Sequence, residues 1–346
     1  MKILYLCPDP GIPVLGRKGA SVHVRELIGA FARGGHRITL AAQTLTKSLR
    51  DEPAKVRARV IHVPPDATAT SAVHDLKDFN ALVCPDNSMA GDLRRVLYNS
   101  ALYRDLKRRF LRHHPDFIYE RASLYATAGA KLAAKFKVPH IIELNAPLAL
   151  EQSAYRATGF GKLAADAERW TLSRADAVIV VSAELRKHVL SLGVKADRIH
   201  IMPNGVNTEL FQPRHSTNGK NGSHPTLGFV GGLRPWHGVE VLPRLLERLV
   251  QRHSDLRLMI VGDGQLRDEL HQEFKKRGLA PRVQFTGALL HEEIPAMIRR
   301  FDIALAPYSR HNHDFYFSPL KLFEYMACGV AVVASDVGQI SEVVAN

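Results

Sequence analysis

The stretch FYFSPLKLFEYMACGVAVVASD, Phe315 to Asp336, sets a proline turn, a helical run holding one acid, and a run of small β-prone residues in immediate succession. Turn, helix and strand in that order make one α/β unit. Pro319 suits the first position of a helix. The turn Ser318-Pro319-Leu320 would then present the positive end of that helix to an anion. Glu324 stands out, because a lone carboxylate in apolar surroundings is costly unless something bonds to it. It follows Leu320 by four and shares its face, within reach of a hydroxyl on the same ligand. Lys321 would neutralise charge there or point to solvent.

Outward from this unit the same rhythm fills the chain. Strands are expected at TLGFVGG (226–232), LRLMIVGDG (256–264), VQFTG (283–287), FDIALAP (301–307) and VAVVASD (330–336), with helices at 238–251, 265–277, 291–300 and 319–328. In the first half, strands are expected at KILYLC (2–7), HRITLAA (36–42), RVIHV (59–63), ALVCP (81–85), DFIYE (116–120), PHIIEL (139–144) and DAVIVVS (176–182). A helix at 21–35 carries its apolar stripe at Val22, Val24, Leu27, Ile28 and Phe31 and stops at Gly34-Gly35. The Gly-, Asn- and Ser-rich segment 213–226 has no apolar period and reads as a domain edge. The expected fold is therefore α/β, with two Rossmann-like domains, 1–200 and 201–346, facing each other across a cleft. At 346 residues the chain is too long for one ordinary core.

In open α/β sheets, ligands bind at the carboxyl ends of strands, so chemistry is expected in the loops there. The loop PDPGIPVLGRKGA, Pro8 to Ala20, brings Gly16 and two basic residues before the first long helix, without the GxGxxG spacing of a dinucleotide site. In GFVGGLRPWHGVEVL, Gly228 to Leu242, Gly232 would admit a close ligand. Arg234 offers a fork for two phosphate oxygens and His237 follows it, while Trp236 reads as packing. Asp263, in Gly262-Asp263-Gly264, would either touch a ligand or cap the next helix. A nucleotide-sugar would use this whole set: apolar and backbone contacts for the base, Glu324 for the ribose, Arg234 and the helix end for the diphosphate.

The charge of +13 implies an anionic partner. No aromatic-basic module supports nucleic acid. The segment Gly91 to His114 interleaves a helical apolar stripe with Arg94, Arg95, Arg104, Lys107, Arg108, Arg109 and Arg112, which would suit either an anionic lipid surface or a solvated face over a core stripe. No apolar run approaches the roughly 20 residues of a spanning helix. The opening MKILYLC reads as a buried first strand rather than an export signal. Cys7, Cys84 and Cys328 sit in separate apolar runs, as reduced, buried thiols of a cytoplasmic protein do.

Five motifs, in order and spanning nearly the whole chain, resemble the retaining glycosyltransferases of family 4 with the GT-B fold. They are GASVHVRELIGAFARGGH (19–36, with Gly19 and His23), PNGVNTELFQP (203–213), GFVGGLRPWHG (228–238), GDGQLRDEL (262–270) and SPLKLFEYMACGVAVVASDVG (318–338). The resemblance implies transfer of a sugar from a nucleoside diphosphate-sugar to an acceptor hydroxyl with retention, with the leaving phosphate activating the acceptor and no metal or other cofactor. It implies a donor site on the second domain around Gly232, Arg234, His237, Asp263, Tyr316, Ser318, Pro319, Leu320 and Glu324, joined by Gly16. The acceptor side falls at Gly19 and His23, and the catalytic residues at Asn145, Arg234 and Lys321. The chain departs from the family at Tyr316, where an acid is usual, at Gly232 and His237, where an arginine and a lysine are usual, and at Asn145, which stands for a histidine. Relatives of this kind continue past the SEVV region with another strand and long helices, which implies either a truncated chain or a differently closed cleft. A lipid-linked or glycan acceptor at the inner face of the cell membrane is the expected partner. A degenerate nucleotide-sugar binding protein and a nucleotide-sugar epimerase are the other readings.

Overall fold

The computed structural model describes residues 1–47, 53–84, 88–155, 159–213, 224–309 and 315–344. Most of the 213–226 segment lies outside the described residues. The chain divides into two compact units, Met1–Pro203 and Asn204–Asn346.

The first unit runs β1 (Lys2–Cys7), α1 (Gly19–Arg33), β2 (Arg37–Ala42), β3 (Arg59–His62), α2 (Ala67–Val83), α3 (Met89–Arg109), β4 (Phe117–Arg121), α4 (Ala128–Phe136), β5 (His140–Leu144), α5 (Leu148–Tyr155), α6 (Gly161–Arg174), β6 (Ala177–Val180), α7 (Ala183–Ser191) and β7 (Ile199–Ile201). Among the described residues its sheet has seven strands in the order β3-β2-β1-β4-β5-β6-β7. All pairs are parallel. The order reverses direction between β1 and β4. Helices cover both faces, so the strands are buried on both sides and read as continuous apolar runs. One face packs Leu4, Leu6 and Ile118 against Tyr98, Leu102 and Leu106 of α3. The other packs Ile3, Tyr5 and Leu40 against Val24 and Ile28 of α1.

The second unit runs β8 (Thr226–Val230), α8 (Leu242–Val250), β9 (Arg257–Val261), α9 (Arg267–Lys276), β10 (Val283–Gly287), α10 (Ile294–Ile298), β11 (Ile303–Ala306), α11 (Leu320–Ala327), β12 (Ala331–Ala334) and α12 (Ile340–Val343). Its sheet is parallel in the order β10-β9-β8-β11-β12 and reverses between β8 and β11. Fully buried Phe229, Leu242, Leu246 and Phe274 fill one face. Truncating such a side chain to alanine costs about 2–5 kcal/mol.

Three expectations are corrected. Ala81 to Val83 of the ALVCP run are the end of α2 and not a strand, with Pro85 outside the described residues: Leu82 and Val83 are exposed, so the apolar run is not a buried one. Cys84 is exposed at the end of that helix, whereas Cys7 and Cys328 are buried, and all three are free thiols. Pro319 is the N-cap of α11, in extended backbone at φ −78°, ψ 104°, and Leu320 is the first helical residue.

Candidate functional site

Both sheets reverse direction at a defined pair of strands, and the crevice outside such a pair is where open α/β sheets take ligands. In the second unit that pair is β8 and β11. The chain leaves β8 through Gly231-Gly232, whose Gly231 N–H donates to the Val261 carbonyl at 2.9 Å. Two glycines allow the loops to close here. At Gly231, φ is +146° and a Cβ would lie 3.0 Å from Lys321 Nζ. At Gly238, φ is +65° and a Cβ would lie 1.6 Å from the Pro307 carbonyl oxygen, beyond the end of β11. Any side chain at Gly238 would push the two loops apart.

Lys321 enters this corner from the first turn of α11. It is 7% exposed, its Nζ has no hydrogen-bond partner among the described residues, and it lies 4.3 Å from the ring centre of Phe229 and 5.0 Å from that of Tyr308. Burial depresses its pKa to about 7, against a smaller opposing pull from Glu324. Lys321 therefore neither points to solvent nor pairs directly with Glu324. His237 lies in the same corner, edge-on to Tyr308, and its Nδ1–H donates to the Gly232 carbonyl. That bond fixes the tautomer. Burial, then the charges of Lys321 and Arg234, hold its pKa down at about 3, so the ring is neutral at pH 7.

Glu324 is not a lone acid. His291 Nε2 donates to its Oε1 at 3.3 Å, and both side chains are about 15% exposed. Ser318 is buried and tied to the start of the unit: Asn204 N–H donates to its Oγ at 3.0 Å and Asn204 Nδ2 to its carbonyl at 2.7 Å. Tyr316 is buried, with its ring 4.4 Å from that of Phe317. Arg234 is exposed beside Trp236, 5.5 Å from its ring centre, and reaches Gln265 at 3.5 Å. Asp263 caps no helix. It accepts from the Gly264 N–H at 2.8 Å and pairs with Arg267 at 3.1 Å, while its carbonyl accepts from the Leu233 N–H and ties two loops together. The structure thus gathers Gly232, His237 and Lys321 in one corner, links Glu324 to it electrostatically, and sets Arg234 and Asp263 on its rim. His291, Asn204 and Tyr308 went unnoticed as site residues. Asn204 lay in the PNGVN motif, but its partner is 114 positions away.

In the first unit a second cluster forms outside β1, β4 and β5. Tyr119 and Arg121 alternate onto one face of β4 and meet Glu143 near the end of β5, while α1 brings His23 from the side. Glu143 is 2% exposed and accepts from His23 at 2.6 Å, Asn145 at 2.5 Å, Tyr119 at 3.0 Å and Arg121 at 3.1 Å. Burial alone would raise its pKa; His23, Arg121 and Asn145 outweigh that and hold it at about 2. His23 and Asn145, expected on the acceptor and catalytic sides, thus share one carboxylate that the sequence reading passed over. Gly19 opens α1, and the Gly16 carbonyl accepts from Arg25 at 2.6 Å. Among the described residues there is no group of three or more His, Cys, Asp or Glu arranged to hold a metal ion.

Residues 17–210 match the family described as Glycosyltransferase Family 4, and residues 224–346 the one described as Glycosyl transferases group 1. Glycogen synthase of Mycobacterium tuberculosis (strain H37Rv) is 27% identical over 353 residues, spanning 100% of this chain and 80% of that protein. Among solved structures, sucrose-phosphate synthase from Thermosynechococcus elongatus matches with a TM-score of 0.70 at 18% identity, over 100% of this chain and 84% of that one. HepE of Anabaena, solved in complex with UDP and glucose, matches with a TM-score of 0.66 at 20% identity, over 100% and 83%. These likenesses carry the GT-B type of fold. With a family match over more than half its length and two Rossmann-type sheets beneath it, the chain belongs to glycosyltransferase family 4.

Proposed function

We propose that this glycosyltransferase moves a sugar from a nucleoside diphosphate-sugar to an acceptor hydroxyl with retention of anomeric configuration. The observation that carries the donor half is the corner outside β8 and β11, where a two-glycine turn, a buried cation and the start of α11 converge. The diphosphate would lie against Gly232 and the Ser318-Pro319-Leu320 turn, with Arg234 swinging from the rim to its outer oxygens. Glu324 would accept from the ribose, releasing His291. HepE, of the same fold, was solved with UDP and with UDP-glucose, and this supports a similar donor here.

In such a transfer the sugar becomes cation-like while the departing diphosphate gains negative charge. Fixed positive groups at the phosphate therefore lower the barrier most. On the acceptor side Glu143 is a poor proton acceptor, since four donors hold it ionised down to about pH 2. Asn145 cannot take a proton and is committed to Glu143. Neither residue suits a general base, which favours the leaving phosphate as the group that receives the acceptor's proton. Asn145 then serves by holding the Glu143 cluster in place.

The test is incubation with UDP-, GDP- and ADP-sugars and a panel of simple glycoside and lipid-phosphate acceptors, read by NMR. Release of nucleoside diphosphate and a product with the donor's anomeric configuration is expected. An inverted product would refute retention; an isomerised free sugar without acceptor would favour the epimerase reading. Binding without turnover would leave a nucleotide-sugar binding protein.

A further inference from the structure

The residues around the β8 and β11 corner leave one requirement unmet. A diphosphate needs positive charge close to the loop backbone, yet Gly232 carries no side chain, and His237 is neutral with its Nδ1–H spent on the Gly232 carbonyl. Arg234 lies out on the rim beside Trp236 and Gln265. Lys321 is the opposite case, a buried amine with no hydrogen-bond partner among the described residues. Its surroundings are the faces of Phe229 and Tyr308, which attract a cation without satisfying its N–H groups. The missing side chain of Gly231 leaves Nζ beside the turn itself, 3.0 Å from where a Cβ would stand.

We propose that Lys321 is the cation this unit presents to the donor's diphosphate, kept between Phe229 and Tyr308 until a phosphate reaches the Gly231-Gly232 turn, so that donor binding takes up a proton. The inference rests on the nucleoside diphosphate-sugar reading given above. Among the described residues, the titratable groups tied to Lys321 are Glu324 on its own helix and Tyr308 and His237 from the loops, while Tyr325 of the same helix has its hydroxyl occupied by the Val230 N–H and the Leu305 carbonyl. Of their charges, that of Glu324 favours the ammonium, and it does not offset burial. In the empty site the amine is therefore largely neutral above pH 7, and a phosphate beside it restores the ammonium. The proton comes from solvent and stays on Nζ while the diphosphate is bound.

Titration calorimetry of the full chain with UDP-, GDP- and ADP-glucose, in paired buffers of different ionisation enthalpy, reads this directly. These donors carry no phosphate that titrates near neutrality, so uptake belongs to the protein. For whichever donor binds, uptake approaching one proton per site is expected at about pH 8.5, and little at about pH 6. Lys321→Met should abolish the uptake and weaken binding at least tenfold, while melting no lower than the parent, since it removes a buried unpaired amine. Arg234→Gln should weaken binding and keep the uptake. Binding without proton uptake in the parent, or uptake that survives in Lys321→Met, would overturn the inference. No binding by any of the three would instead bring down the donor reading itself.

Discussion

Glu143 is 2% exposed and accepts hydrogen bonds from His23, Asn145, Tyr119 and Arg121. In the sequence it is one polar residue near the end of PHIIEL, with nothing local to set it apart. Its partners come from α1, β4 and the residue two ahead, and His23 is 120 positions away, so no local pattern announces the cluster. Glu324 was legible for the opposite reason, because an acid inside LKLFEYMACG breaks its own surroundings. For Glu143 the folded pKa of about 2 lies below the ordinary 4.5, so its contribution is whole above pH 4.5 and is lost as pH falls towards 2. The difference corresponds to about 3 kcal/mol. Glu143→Gln should lower stability at pH 7 by about 3–5 kcal/mol, because it leaves Arg121 buried opposite a neutral amide. The mutant's stability should also change less than the parent's between pH 5 and pH 3. Urea unfolding at several pH values checks both, and equal stability of the two proteins at pH 7 would show that the cluster does not stabilise the fold.

At the scale of elements, strands buried on both faces read correctly because their apolar runs are continuous; β1, with five of six residues buried, is the plainest. ALVCP misleads because Ala81, Leu82 and Val83 form a continuous apolar run on an exposed helix end. The α3 stripe was ambiguous in sequence for a related reason: periodicity reports an apolar face but not what covers it. Ala101, Leu102, Leu106 and Phe110 are packed in the core, so α3 does not have that stripe to insert into lipid. What remains outward is charge: Arg104 and Arg108 are 65% and 80% exposed, with Asp66 and Asp105 as partial partners. Any attraction to an anionic membrane through α3 is then electrostatic and salt-sensitive, at about 1 kcal/mol per positive charge. Replacing Arg104, Lys107, Arg108 and Arg109 with glutamine should cut co-sedimentation with anionic vesicles about a thousandfold at low salt. The fold should survive, since exposed pairs contribute about 0–1 kcal/mol each. Equal, negligible sedimentation of the parent with anionic and neutral vesicles would remove the membrane from the account.

At the scale of the whole molecule, the two sheets repeat one strand order, and each reversal point carries one of the two clusters. The strand rhythm made that repetition legible, and the motifs at the second reversal point made the family legible. The side-chain partners were not, since Lys321 turning inward under Gly231 depends on packing that no spacing encodes. The donor reading is tested most directly by titration calorimetry of the folded chain against UDP-, GDP- and ADP-sugars, beside Glu324→Gln. The account predicts saturable binding, one donor per chain, for at least one nucleotide class. It also predicts roughly tenfold weaker binding in the mutant, whose neutral amide replaces a charge-assisted bond to the ribose. No saturable heat from any of the three classes, with the chain folded, would contradict it.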